Sequence, residues 1–163
     1  MLGLVNLYRI VDNLINLTEN KYEQLKDIYL LTEQQALAIE SADMDSLGEL
    51  IDKKQQKIDV IVGLDSQFEN ITDDLKTIYD VKSLDELEVQ SANIAILKEG
   101  ISKVTDILHQ IIGVENTNKK KMEQSKSEIE EKMQSTQTGK TALKQYGGVQ
   151  TYTDAVFFDK KID

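Results

Sequence analysis

Apolar and semi-apolar residues recur at Leu4, Leu7, Val11, Leu14, Thr18, Tyr22, Leu25, Ile28, Thr32, Ala36 and Ile39, always three or four apart. That period is the seam of an α-helix packed in coiled-coil fashion. Glu19, Glu23, Asp27 and Glu33 fall off the seam, so one helix is predicted over about residues 2–40. Ser41-Ala42-Asp43 interrupts the period. Asp43 suits an N-cap, and Asp45 suits the positive end of a new helix. A second seam runs through Leu47, Leu50, Lys54, Ile58, Ile61, Leu64, Phe68, Ile71, Leu75 and Ile78, which predicts a helix over about 44–80. So short a connection turns this helix back antiparallel along the first. Lys54 is charged yet lies on the seam, and it is expected to snorkel to water near a bundle end.

Ser83-Leu84-Asp85-Glu86 has the spacing of a capping box. A third seam follows through Leu87, Ile94, Leu97, Ile101, Val104, Leu108, Ile111 and Val114. Beyond Asn116-Thr117-Asn118 and Lys119-Lys120-Lys121 it thins to Met122, Ile129 and Met133, and Thr138-Gly139 reads as a helix stop. The expected fold is all-α: an elongated antiparallel three-helix coiled-coil bundle over residues 1–138, with helices at about 2–40, 44–80 and 84–136. An aromatic C-terminal tail follows over 139–163. Gly48, Gly63, Gly100 and Gly113 fall inside these helices, each costing about 1 kcal/mol against Ala. Close helix approach is one reason for such glycines; local weakening is the commoner outcome.

The predicted lengths do not match. Helices one and two are about 37 residues each, roughly 55 Å at ~1.5 Å per residue. A third helix starting near 84 draws level with the turn at 41–43 by about residue 120, and one starting near 92 somewhat later. Either way its last turns overhang the hairpin with a thin apolar stripe, and a polar helix with little to bury is marginal alone. The tail after it, YGGVQTYTDAVFFDKKID, holds two of the three Phe and two of the six Tyr. Aromatic side chains gain much from burial, so overhang and tail together call for a cover. That cover is the tail itself, a second copy of the chain or a partner helix.

Composition narrows the choices. The chain lacks Pro, Cys and Trp. Without Pro the strongest breaker of helix interiors is missing, so long uninterrupted helices are allowed, and without Cys there are neither disulfides nor thiolate metal sites. The apolar opening run is interrupted by Arg9 and Asp12 and has no basic leader or small-residue cleavage site, so a signal peptide is not expected. No stretch of 18 or more apolar residues suggests a membrane span, and a cytoplasmic location is the expectation. The net charge of −10 is concentrated over residues 41–80, where 10 acidic groups face 4 basic ones. Such a body repels nucleic-acid phosphates.

The motifs that suggest chemistry do not survive inspection. Thr138-Gly139-Lys140-Thr141 resembles the end of a P-loop, but Gln134 stands where its first Gly belongs and no strand precedes it. Asp43-Met44-Asp45-Ser46-Leu47-Gly48 resembles a calcium loop, with Leu47 and Lys54 at ligand positions that need side-chain oxygens. His109, the single histidine, has Thr105 and Gly113 as its helical neighbours, so no metal pair forms. Lys119-Lys120-Lys121 is flanked by Glu115 and Glu123 and reads as a solvated face. Neither a catalytic constellation nor a cofactor site emerges, and an enzyme is not expected.

Three features together carry a family resemblance: the segment KYEQLKDIYLLTEQQALAIESADMDSLGELIDKKQQKI, the long third helix, and the ending GKTALKQYGG…FFDKK. The chain resembles flagellar export chaperones of the FlgN type, most clearly over residues 21–61 and 139–161. The resemblance implies a cytosolic helical chaperone of type III flagellar secretion. Such a chaperone binds helical C-terminal segments of hook–filament junction proteins, prevents premature association and hands its client to the export gate. It also implies that a tail tyrosine contacts the gate, with Tyr146 and Tyr152 as candidates. The residues themselves point to the same end of the molecule. Met122, Ile129, Met133, Leu143, Tyr146, Tyr152, Val156, Phe157 and Phe158 are the expected client contacts, with a client helix seated in a groove and Met suiting a surface that takes more than one client. The competing expectation is a coiled-coil adaptor or structural protein that self-associates through its C-terminal half.

Overall fold

The computed structural model describes residues 2–86, 92–124 and 126. Three long helices make up the bundle: α1 (Leu2–Glu40), α2 (Met44–Ile78) and α3 (Ala92–Gln124). Asn93 on α3 bonds Asp12 on α1 at 2.7 Å, and Lys121 on α3 pairs with Glu40 on α1 at 2.9 Å. α3 therefore runs parallel to α1 and antiparallel to α2. α1 is the central helix and packs closely on both of the others.

The turn between α1 and α2 is closed by named bonds. Ala42 adopts φ 54°, its N–H reaches Ile39 O, and the N–H of Asp43 reaches Ala38 O. This is a Schellman ending with Ala at the position glycine usually fills. Asp43 then caps α2: its carboxylate accepts from the Ser46 N–H at 3.1 Å and from the Ser46 hydroxyl at 2.7 Å. α2 ends in the same manner, with Asp80 at φ 49° and the Val81 N–H bonded to Lys76 O. Val81 packs against the adjacent core, the hydrophobic contact that accompanies this motif.

The third helix differs at its start from the expectation of about residue 84. Leu84–Glu86 is a 3-10 turn, and α3 is described from Ala92 onward. The Glu86 carboxylate bonds back to the Lys82 N–H at 2.6 Å, and the Glu86 N–H bonds Ser83 O at 3.2 Å. The Ser83–Glu86 signature therefore closes a local turn of its own. Within the described residues α3 has 33 residues against 39 in α1 and 35 in α2. The expected continuation to about 136, and the tail over 139–163, lie outside them.

Two stretches of core line the bundle. One gathers Leu7, Val11, Leu14, Leu75, Leu84 and Leu97; the other runs from Leu25, Ile28, Ile58 and Ile61 to Ala38, Ile39, Met44, Ile111 and Met122. Where Thr18 meets α3, Gly100 permits the close approach: a Cβ there would stand 3.1 Å from Thr18 Cγ2. Gly63 and Gly113 face open space and fit the weakening role.

Candidate functional site

Of the expected client contacts only Met122 is described, and it lies at the end of the bundle that carries the α1–α2 turn. The Lys121–Glu40 pair sets the level of α3 against the end of α1. One residue on, Met122 is 6% exposed and packs in the same core as Ala38, Ile39 and Met44. Met122 was expected as a client contact; within the described residues its side chain is already covered. Ile129, Met133, Leu143, Tyr146, Tyr152, Val156, Phe157 and Phe158 lie outside the described residues.

Just inside this end a polar layer crosses all three helices. Gln35 on α1, Lys54 on α2, and Glu115 and Asn118 on α3 are each buried. The Lys54 ammonium forms an ion pair with Glu115 and donates to Gln35 Oε1 at 3.1 Å. The Asn118 amide donates to Thr32 O at 3.1 Å. Lys54 was expected to snorkel to water, and that is corrected: its side chain is 1% exposed and that of Glu115 is 2% exposed. The physical reason is the facing carboxylate, which supplies the counter-charge on the third helix and removes the need to reach solvent. Burial pulls the Lys54 ammonium below the ordinary lysine pKa, while the charge and hydrogen bond of Glu115 oppose that shift.

A sequence signal for this layer exists. Ile101, Leu108, Glu115 and Met122 fall every seven residues, as do Leu97, Val104, Ile111 and Asn118, and Leu14, Lys21, Ile28 and Gln35. With Leu47, Lys54, Ile61 and Phe68 at the same spacing on α2, polar residues occupy seam columns of all three helices. A second cross-helix ion pair joins Lys21 to Asp65 at 2.7 Å with both side chains largely buried.

The arrangement offers ordered polar contacts and apolar surface rather than reaction chemistry. His109 is exposed on α3. Among the described residues no group of three or more His, Cys, Asp or Glu is placed to hold a metal ion, and no helix is long and apolar enough to cross a membrane.

The chain matches the protein-family model described as FlgN protein over residues 4–154. No curated protein and no solved structure matches it. Proteins of this family are cytoplasmic, non-enzymatic chaperones of hook-associated proteins in flagellar export. The matched span takes in all three helices and most of the sequence that follows them, and on that ground the chain belongs to the FlgN family of flagellar export chaperones.

Proposed function

We propose that the chaperone holds the helical C-terminal segment of a hook–filament junction protein with residues that follow Met122, and then presents it to the export gate. One observation carries this reading: α3 has drawn level with the α1–α2 turn at Lys121, where the paired hairpin ends. The sequence nonetheless goes on with Ile129, Met133, Leu143, Val156, Phe157 and Phe158. Apolar residues that follow Lys121 in the sequence suit a client helix that brings its own apolar face. Met122 roots this surface in the bundle, and Tyr146 and Tyr152 are the candidates for contact with the gate.

The test is a titration of a fluorescent peptide, copied from the C-terminal helix of a hook–filament junction protein, against the full chain and against Ile129→Glu/Met133→Glu. The variant should bind about 100-fold more weakly or worse, since two hydrophobic anchors are each worth about 1.5–3 kcal/mol. Equal affinity refutes the assignment. Sedimentation of the free chain addresses self-association, which the same surface would support at high concentration.

A further inference from the structure

The strongest unexplained surface lies away from the end just described. An open groove of about 330 Å³ is lined by α1 and α3 alone. Along α1, Tyr8, Ile15, Tyr22 and Tyr29 recur every seven residues, a third apolar column beside the two that enter the core. Ile15 and Tyr22 form one wall of the groove, and Ile96 and Leu97 the other. Tyr8 is 37% exposed and Ile15, Tyr22 and Tyr29 are half-buried, so the column is only partly covered, and Ile96 on the facing wall is 46% exposed. The groove centres about 20 residues before Lys121 on α3, roughly 30 Å along the helix.

Charge decides what fits. Glu19, Glu23 and Glu99 border the groove against Lys103. Glu23 is engaged by Lys26 in an exposed pair, and the Lys26 ammonium stands 5.2 Å from the centre of the Tyr22 ring. The wall thus already accepts a cation on an aromatic face. A second copy of the chain would bring a like-charged groove to face this one. The chain's own ending over 139–163 sets Lys140, Lys144, Lys160 and Lys161 against Asp154, Asp159 and Asp163, an excess of a single positive charge, less than a helix with basic residues on both flanks brings.

We propose that this groove docks an amphipathic helix of a separate partner protein, with Lys or Arg flanking its apolar stripe. Two to three turns of helix match the reach from Ile15 to Glu23, about 12 Å. Apolar residues three, four and seven apart enter between Ile15, Tyr22, Ile96 and Leu97. The basic flanks meet Glu19 and Glu99. The chaperone therefore carries two separate docking surfaces, one near each end of α3, and can hold a second protein while the client is bound.

The probe is a designed 16-residue helical peptide with Leu at those spacings and Lys on both flanks, paired with a counterpart whose flanks are Glu. Each is titrated into the isotope-labelled full chain and followed by amide shifts. The Lys-flanked peptide should shift residues 15–23 and 96–103, and bind about tenfold or more tighter than the Glu-flanked one. Ile96→Asp and Glu19→Lys/Glu99→Lys change exposed positions and should melt like the parent, yet each should weaken the Lys-flanked peptide about tenfold or more. Equal binding of both peptides, unchanged binding by the variants, or shifts confined to residues beyond 126 would each overturn the proposal. So would concentration-dependent shifts in the same residues without peptide, which would make a second copy the occupant.

Discussion

Removing Lys54 alone should be among the most damaging single substitutions in the bundle. Lys54→Met keeps the length and packing of the side chain but deletes the ammonium. The Glu115 carboxylate, 2% exposed, then loses the Lys54 ammonium that pairs with it in the core. Breaking one side of such a pair costs about 3–5 kcal/mol, whereas replacing both sides by apolar residues of similar volume is neutral or stabilising by about 1–4 kcal/mol. Against a total stability of about 5–15 kcal/mol, the single change consumes a large share. In a domain of this size it should lower Tm by about 10–20 °C. Lys54→Met/Glu115→Leu should recover the parent stability or exceed it. Urea and thermal unfolding of the parent, both single variants and the double, followed by far-UV circular dichroism, give the cycle. A loss below about 1 kcal/mol for Lys54→Met would mean that water reaches the pair. A double variant as unstable as the singles would mean that the site depends on shape rather than charge.

Three further outcomes follow from the same structure. Ala42 sits at φ 54°, so Ala42→Gly should relieve left-handed strain and raise stability by about 0.5–1 kcal/mol, read as a higher urea midpoint with an unchanged slope. The Ser46 hydroxyl, with help from the Ser46 N–H, holds the Asp43 carboxyl below the ordinary Asp range. That stabilisation is complete above the unfolded carboxyl pKa of about 4 and fades as pH falls through the lower folded-state value, so the melting difference between Asp43→Ala and parent should shrink at acid pH. One of Tyr146→Ala and Tyr152→Ala should abolish secretion of the junction protein in a motile strain while client-peptide affinity falls far less than in Ile129→Glu/Met133→Glu, and normal secretion by both would remove the tyrosines from gate contact.

The bundle was readable because three long apolar periods, one capped turn and the absence of Pro all agree on antiparallel helices. The seam columns were less so. The three-four spacing puts Tyr22 and Ala36 on the α1 seam, whereas Gln35 is fully buried and Lys21 pairs with Asp65. A helix that packs on two neighbours buries a wider face than one three-four stripe describes. Hydrophobicity also hides the polar layer, because Lys54, Glu115, Gln35 and Asn118 reveal themselves only when complementary residues on three helices are set at one height. Ile78 shows the converse: it continues the α2 seam by spacing but is 67% exposed, since α2 ends there. Of the proposed client contacts only Met122 falls within the described residues, and the others are read from the sequence that follows it.

The most direct measurement compares the full chain with residues 1–138 for binding of the junction-protein C-terminal peptide by calorimetry, alongside their unfolding curves. The shortened chain should keep its helical signal and melt with the parent, while its affinity falls about 100-fold or more. Undiminished affinity in a folded 1–138 fragment would contradict a client surface built from the end of the chain.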